Sequence, residues 1–362
     1  MPLRYLIAMK IAIINHFQIE YGGGAERWIE AVKQQLSGGK SEIDIIAPRD
    51  LKFSPKVYEI TYKSGLYNFL KRIRLYNLLY IFVYPKKNIK LNSYDIIYTT
   101  SFYHYLLYLR VQNKIIIGTH DLFLDNNRIS IDTLMFPFVW LFRILCKKDN
   151  IYLHSLTNLH TNKFKLSNTK CYELGNNFMI GKNLPSYNNK EFTITFIGSL
   201  VRRKGANLLI EIAQRISLFD NIMFNIIGSG EKKYLNYFHN IKSNKIRYLG
   251  HVSDKEKFRV LGESHLLLLL SARESFSLVA AEGLSFGLPV LTTWAPLAKF
   301  QKGEIYTCQN EISVILEKIL DLKNRWKKDT FLFYQEMYNR AVVFQEQNLG
   351  DKDKLLAMFQ TS

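Results

Sequence analysis

The chain has 362 residues, of which 48% are hydrophobic and 22% charged, and its formal net charge is +18. This length predicts two domains, and the composition excludes a disordered chain. The positive charge indicates an anionic partner such as nucleotide phosphates, nucleic acid or an anionic membrane surface, although a codon bias toward Lys, Asn, Ile, Tyr and Phe explains it equally well.

Cysteine usage and hydropathy narrow the class of protein further. Cys146, Cys171 and Cys308 lie far apart and lack metal-ligand spacing, which predicts a reduced, cytosolic compartment and no metal site. No stretch reaches the roughly 18 apolar residues that a membrane span needs. The N-terminus lacks a complete signal-peptide pattern; a first strand from Met9-Lys10 would make residues 1–8 an extension.

The N-terminal half opens as a βαβ unit, with an apolar run at 10–17, a helix pattern from Ala25 and a strand at 43–47. Gly22, Gly23 and Gly24 lie between strand and helix, where backbone can approach a phosphate; an ordinary tight turn is equally compatible. Arg27 at the third glycine position argues against a dinucleotide motif, whereas Asp50 after the second strand keeps an NAD-dependent oxidoreductase open.

Two further features of this half point to chemistry. His120 follows the strand at 114–118, at a carboxyl end where catalytic groups gather, although a histidine there can also simply cap a loop. The basic, aromatic segment Leu66–Lys90 is typical of a membrane-surface segment, with a buried amphipathic helix as the alternative.

A polar stretch at 185–190 predicts a linker, after which strands and helices alternate again. The alternation predicts two doubly wound α/β domains, each about 150 residues long. The predicted segments of the second half are strands at 192–198, 223–228, 246–250, 265–270 and 289–293 and helices at 205–216, 254–262, 311–322 and 331–345. Asp351 and Asp353 are interpreted as part of a solvated charged tail rather than a metal site.

Two loops of the second half carry the strongest signals. Arg202, Arg203 and Lys204 precede a helix, which suits a phosphate clamp or a solvated basic turn. In Ser271–Pro289, Glu274 lies in a loop and Glu282 in the helix that the loop opens. The two carboxylates suit a general acid and base, or acceptors for sugar and ribose hydroxyls, and Glu282 also suits an ordinary helix position.

Several segments, in order, together resemble the retaining, GT-B-type glycosyltransferases of family 4, also called glycosyl transferases group 1. They are GGAER (23–27), His120-Asp121, FIGSLVRRKG (196–205), IIGSG (226–230), YLGHVSDKE (248–256), ESFSLVAAE (274–282) and GLPV (287–290). The resemblance implies two facing Rossmann-like doubly wound domains with a central cleft. It places an acceptor domain at 1–180, a nucleotide-sugar domain at 181–330 and a helix crossing back at 331–362.

The resemblance also implies roles for individual residues. Catalysis would fall to His120 and Glu274, with Glu274 holding hydroxyls of the transferred sugar and Glu282 the ribose hydroxyls. The other expected donor-binding residues are Gly23, Gly24, Arg203, Lys204, Val252, Phe276, Ser277 and Leu278. The implied substrates are a UDP- or GDP-sugar and a glycan, lipid-linked or other hydroxyl acceptor, with retention and without a cofactor or metal.

The sequence departs from the family pattern at several positions. Ser199 replaces the usual arginine after the first strand of the second domain, Ser277 replaces a glycine, and 294–303 replaces a glycine-rich donor loop. The expected enzyme is cytoplasmic, with docking on the cytoplasmic face of an anionic membrane as a hypothesis. The alternatives are a sugar-nucleotide isomerase or phosphorylase of the same fold and a basic nucleic-acid-binding protein.

Overall fold

The computed structural model describes residues 9–15, 24–36, 41–48, 57–60, 90–100, 111–118, 144, 147–156, 170–186, 190–272, 274, 276–300 and 303–360. The chain divides into two compact units. Unit 1 comprises Met1–Gly175 with Asp351–Ser362, and unit 2 comprises Asn176–Gly350. The unit boundaries therefore follow Gly175 and Gly350, whereas the sequence predicts them after residues 180 and 330. His120, Gly23, Asp50 and residues 66–89 lie outside the described residues.

Unit 1 contains a seven-stranded sheet in the order β3-β2-β1-β4-β5-β6-β7, whose strand pairs are all parallel. Its strands are β1 (Lys10–Ile14), β2 (Glu42–Pro48), β3 (Val57–Ile60), β4 (Ile96–Thr99), β5 (Lys114–Gly118), β6 (Ile151–Ser155) and β7 (Cys171–Glu173). Helix α1 (Gly24–Leu36) connects β1 to β2. The continuous isoleucine runs of β1, β4 and β5 are buried, as expected of strands covered on both faces.

Unit 2 contains a six-stranded sheet in the order β10-β9-β8-β11-β12-β13, again parallel throughout. Its strands are β8 (Phe192–Ile197), β9 (Ile222–Ile227), β10 (Ile246–Gly250), β11 (Leu266–Leu269), β12 (Val290–Thr292) and β13 (Ile305–Thr307). Its described helices are α2 (Ala206–Ile216), α3 (Lys232–Asn240), α4 (Asp254–Gly262), α5 (Leu278–Ser285), α6 (Leu297–Phe300), α7 (Ile312–Lys328) and the first part of α8 (Thr330–Met358).

The strand order reverses once in each sheet. The reversal lies between β1 and β4 in unit 1 and between β8 and β11 in unit 2. In an open parallel sheet the loops that diverge at such a point leave a crevice at the carboxyl ends of the strands. The predicted fold class of two Rossmann-like, doubly wound units is confirmed, and the crevice of unit 2 lies between the loops that follow Ile197 and Leu269.

Some elements differ from the sequence prediction. The edge strands β3 and β13 and helix α3 were not predicted, because short or polar segments give weak periodicity. Helix α8 does not end at Gln345 but continues to Met358, so the interpretation of Asp351 and Asp353 as a tail is wrong. Burial of Leu355 and Met358 outweighs the helix-weakening effect of Gly350.

The last eight residues of α8, Asp351–Met358, belong to unit 1. Leu355, Met358 and Phe359 are fully buried there, and Phe359 packs against the Tyr98 ring. The Lys114 ammonium donates to the carbonyls of Met358, at 3.2 Å, and Gln360, at 2.7 Å. A cation at a helix C-terminus satisfies carbonyls that lack helical partners and complements the helix dipole.

A buried histidine lies in the core of unit 1. The Tyr98 hydroxyl is 2.7 Å from His154 Nδ1, and His154 Nε2 is 2.9 Å from the Leu174 carbonyl. Because a carbonyl only accepts, Nε2 carries the proton and Nδ1 accepts from Tyr98. Trp28 stacks on both rings. Burial lowers the pKa of His154 to about 4, against the opposing effect of the Leu174 hydrogen bond, and burial also raises the pKa of Tyr98.

This histidine predicts an acid-sensitive core. The pKa of His154 is lower in the folded chain than its usual 6.5. Neutral His154 therefore contributes fully to the free energy of unfolding above pH 6.5, and this contribution is lost as the pH falls toward 4. At about 1.4 kcal/mol per pKa unit, this loss amounts to roughly 3 kcal/mol. Urea unfolding between pH 7 and pH 4 should show this slope, and a His154→Phe variant should be less stable at pH 7 but flatter with pH. Parallel pH profiles for the two proteins would contradict the assignment.

Among the described residues, no helix is long and apolar enough to cross a membrane.

Candidate functional site

The loop after β8 brings the predicted basic residues to the crevice of unit 2. A single 3-10 turn at Arg202–Lys204 connects β8 to α2, and Gly205 joins the two with φ of +80°. An added Cβ at Gly205 would lie 2.3 Å from the Leu270 carbonyl oxygen. Because Gly205 has no Cβ, the basic loop can lie directly against the residue that follows β11, and any other residue would clash there.

The loop after β11 meets the basic loop there. The Ala272 amide donates to the Arg203 carbonyl at 3.0 Å. The Lys204 ammonium contacts Glu274 Oε1 at 2.5 Å, and the Ser271 hydroxyl donates to the same oxygen at 2.5 Å. Glu274 is buried, whereas the Lys204 side chain is 23% exposed. The structure therefore unites Lys204, Arg203 and Glu274 at the strand-order reversal.

Helix α5 continues from this loop. Phe276 is buried, Leu278 is half-buried, and Ser277 caps the helix by accepting from the Ala280 amide at 3.3 Å. Ser277 adopts φ of +58°, a left-handed conformation that L side chains other than Asn and Asp rarely adopt. The family that the sequence resembles has glycine at this position, and the left-handed backbone is one that glycine adopts without strain.

Substitutions of Ser277 should reverse the usual helix preference for alanine over glycine. Glycine relieves the left-handed strain and loses little capping, so Ser277→Gly should stay within about 0.5 kcal/mol of the original chain. Ser277→Ala keeps the strain and loses the cap, which should cost about 1 kcal/mol. Urea unfolding of the two variants provides the comparison. A more stable alanine variant would mean that the backbone at this position is unstrained.

Glu282 lies in the second turn of α5 and is also buried. Its Oε1 accepts from the Lys257 ammonium at 2.6 Å, and the same ammonium contacts Asp254 at 2.9 Å. The exposed fractions of the Lys257 and Glu282 side chains are 8% and 4%, whereas that of Asp254 is 66%. Lys257 was not identified from the sequence, because lysines on helices are usually solvated and its pairing with Glu282 is a tertiary contact.

The loop between β10 and α4 carries Val252. Val252 is half-buried, and Ser253 caps α4 by accepting from the Glu256 amide at 3.3 Å. Val252 therefore lies just before α4, and Glu282 contacts α4 through Lys257. Glu274, in contrast, contacts the basic loop through Lys204.

The glycine turn after β9 has a packing role. The Leu200 amide donates to the Ser229 carbonyl, and the Glu231 amide donates to the Leu200 carbonyl. Added Cβ atoms at Gly228 and Gly230 would lie 1.9 and 2.2 Å from backbone oxygens of the neighbouring loop. Tyr248, whose pKa is raised by burial, donates to the Gly228 carbonyl at 2.9 Å. The glycines let the two loops pair closely.

In unit 1 the structure describes less of the predicted site. Gly24 is the first residue of α1, whereas Gly23 and His120 lie outside the described residues. At the carboxyl ends of β1 and β4, the Thr100 hydroxyl donates to the buried side chain of Asn15 at 2.7 Å. In the described part of the chain, no group of three or more His, Cys, Asp or Glu residues could hold a metal ion.

Known proteins share both the site segment and the fold. Residues 182–301 match the family model of glycosyl transferases group 1. The matched residues include Lys204, Glu274 and Glu282. A phosphatidylinositol N-acetylglucosaminyltransferase subunit of Arabidopsis thaliana is 32% identical over 106 residues, which are 28% of this chain and 24% of that protein. Another curated relative, from Klebsiella pneumoniae, is 31% identical over 102 residues, which are 28% of this chain and 27% of that protein. The chain therefore matches about a quarter of the length of each of these two relatives.

Solved structures, a glycosyltransferase among them, share the architecture of both units. Anabaena Alr3699/HepE, crystallised with UDP and glucose, has a TM-score of 0.67 and 12% identity, covering 98% of this chain and 100% of that one. WaaG, a glycosyltransferase involved in lipopolysaccharide biosynthesis, has a TM-score of 0.61 and 12% identity over 97% of this chain and 100% of its own. These similarities place the two Rossmann-like sheets in the GT-B fold.

Proposed function

We propose that the chain is a retaining glycosyltransferase of family 4 that transfers a sugar from a nucleotide-diphosphate donor to a hydroxyl acceptor. The observation that carries the proposal is the Lys204–Glu274 pair at the strand-order reversal of unit 2. A cation and a carboxylate at one point suit a ligand that joins a phosphate to a sugar. The group 1 match of this segment and the UDP bound by HepE support the same donor class.

In the proposed mechanism Lys204 stabilises the diphosphate as it leaves, because negative charge grows there when the glycosidic bond breaks. The N-terminus of α5 adds partial positive charge, and the backbone of Phe276, Ser277 and Leu278 lies at that end. Glu274 holds hydroxyls of the transferred sugar, Glu282 holds ribose hydroxyls, and backbone near Val252 meets the base. Arg202 or Arg203 supplies the cation that is missing at Ser199. The proposal assigns no role to a metal.

Unit 1 is assigned the acceptor in this proposal. His120 assists at the donor sugar and Gly23 and Gly24 lie under the phosphates, as the family resemblance implies. The acceptor is a glycan or a lipid-linked hydroxyl compound, reached on the cytoplasmic face of an anionic membrane through Leu66–Lys90. Liposome flotation at low salt tests the docking, and absence of binding would contradict it.

The donor class is tested with a panel of UDP-, GDP- and other nucleotide sugars, scored by thermal shift and by release of the nucleotide. At least one nucleotide sugar should stabilise the chain and be hydrolysed slowly. The anomeric configuration of the product then tests retention. Donor turnover that yields a rearranged or phosphorolysed sugar without an acceptor would replace the transferase with an isomerase or phosphorylase. No binding to any member of the panel would contradict the donor class.

A further inference from the structure

A buried lysine contacts the carboxylate to which the proposed function assigns the ribose. Lys257 projects from α4, and its ammonium binds Glu282 Oε1 of α5 at 2.6 Å. The exposed fraction of each of the two side chains is below one tenth. Removing two charges from water costs several kcal/mol each, so such a pair needs compensating contacts. The ammonium has a second carboxylate, Asp254, at 2.9 Å and lies 4.7 Å from the centre of the Phe258 ring.

The pair differs in environment from the other carboxylate–lysine pair of the site. The Lys204 side chain is 23% exposed and lies in the short turn between β8 and α2, so its ammonium can turn toward a phosphate. Lys257 is held within a helix and is surrounded by its three partners, two of them carboxylates. The Lys257 ammonium is therefore suited to holding the Glu282 carboxylate in place rather than to binding a ligand directly.

The orientation of the Glu282 carboxylate determines which groups of a ligand it can bind. An ionised carboxylate only accepts hydrogen bonds, and its bond to a hydroxyl is stronger than a bond between neutral groups. The Lys257 ammonium, at 2.6 Å, holds the Glu282 carboxylate in one orientation. In that orientation the carboxylate would bind hydroxyls of a ribose and disfavour a nucleoside that lacks them.

We propose that Lys257 is a positioning residue that holds the Glu282 carboxylate in one orientation, and thereby makes the donor site selective for nucleotides with an intact ribose diol. This inference rests on the proposed function, because it assumes that Glu282 contacts the nucleoside. It names ribonucleoside-diphosphate sugars as the donor class and excludes 2′-deoxyribonucleoside-diphosphate sugars as good donors.

The test measures dissociation constants of the full chain for UDP, 2′-deoxy-UDP, 3′-deoxy-UDP and pyrophosphate by calorimetry. The original chain should bind UDP at least tenfold more tightly than one of the deoxy analogues, because a missing hydroxyl leaves a buried acceptor unpaired. Lys257→Met should lose tenfold or more in UDP affinity while its affinities for that analogue and for pyrophosphate change less than threefold. A purely structural role would instead lower all affinities together.

Three variants complete the design. Asp254→Asn alters the exposed partner and keeps the Lys257–Glu282 contact, so it should retain the preference for UDP. Lys257→Arg keeps the positive charge and should retain part of the preference for UDP. If Lys257→Met does not fold, Lys257→Gln takes its place, because it removes the charge but keeps a hydrogen-bond donor, and it should likewise weaken the preference for UDP.

The outcomes separate the two proposals. If the original chain binds none of the nucleotides, the proposed donor class fails and this inference fails with it. If the original chain prefers UDP and a Glu282→Gln control loses the preference, while Lys257→Met or its substitute Lys257→Gln keeps it, the inference alone is overturned. Equal binding of UDP and both deoxy analogues by the original chain overturns the ribose role of Glu282 and the role of Lys257.

Discussion

A Lys204→Met variant is expected to lose roughly a hundredfold to a thousandfold in kcat/KM for the nucleotide-sugar donor, a typical effect of removing one group that stabilises developing charge. Most of the loss should appear in kcat, because the charge on the diphosphate grows in the transition state and is smaller in the bound donor. Steady-state kinetics with the donor identified in the nucleotide-sugar panel provide the measurement.

The matched control is Lys233→Met, which removes an exposed lysine whose side-chain partner is Glu231 in the same unit. It should leave kcat/KM within twofold. The melting temperature of Lys204→Met should fall by a few degrees, because the buried Glu274 loses its cation and keeps the Ser271 hydroxyl, and a cooperative transition shows that the variant is folded. A folded Lys204→Met variant with kcat/KM within threefold of the original would contradict the assignment of Lys204 to the diphosphate.

Replacing Gly205 by alanine is expected to destabilise unit 2 by roughly 4 kcal/mol or more, a magnitude typical of a buried steric conflict combined with unfavourable backbone torsions. The new Cβ would lie 2.3 Å from the Leu270 carbonyl oxygen and 2.5 Å from the Leu270 Cβ. Neither atom belongs to a flexible side-chain end, so the loop itself must move. Loop movement would also displace Lys204 from Glu274, and donor binding should weaken in parallel.

Gly250 provides a close comparison because it has a similar positive φ, +65° against +80°, with no heavy atom within 4 Å of an added Cβ. Gly250→Ala should cost only about 1 kcal/mol, which is the penalty of the left-handed conformation alone. Thermal unfolding monitored by calorimetry separates the two variants. Equal losses of stability would show that the backbone torsion, rather than the contact with Leu270, dominates at Gly205.

The sequence predicts most of the fold because buried parallel strands produce continuous apolar runs. Leu266–Leu269 and Ile115–Ile117 are recognisable on this basis alone. The edge strand Ile305–Thr307 was not predicted, since it is short and only half-buried. The final helix was predicted too short because Gly350 and the charges after it resemble a helix end, whereas burial of Leu355 against unit 1 is a tertiary effect.

The candidate site was predictable to a different extent. Glu274 and Glu282 lie in a loop and a helix as the pattern indicated, and Lys204 lies beside Glu274. Their partners were not predictable, because Ser271 and Lys257 are ordinary residues whose importance comes from the contacts that folding creates. The left-handed conformation of Ser277 could be suspected only from the family glycine at that position.

The helix α8 has a consequence for the order in which the chain folds during synthesis. Unit 2 is contiguous, from Asn176 to Gly350, whereas the core of unit 1 includes Leu355, Met358 and Phe359. Domains generally fold from the N-terminus as the ribosome releases them, but here the N-terminal unit cannot complete its core until these residues have emerged. A fragment that stops at Gly175 would expose the apolar surface around Tyr98, and a peptide containing residues 351–360 supplied in trans should cover it.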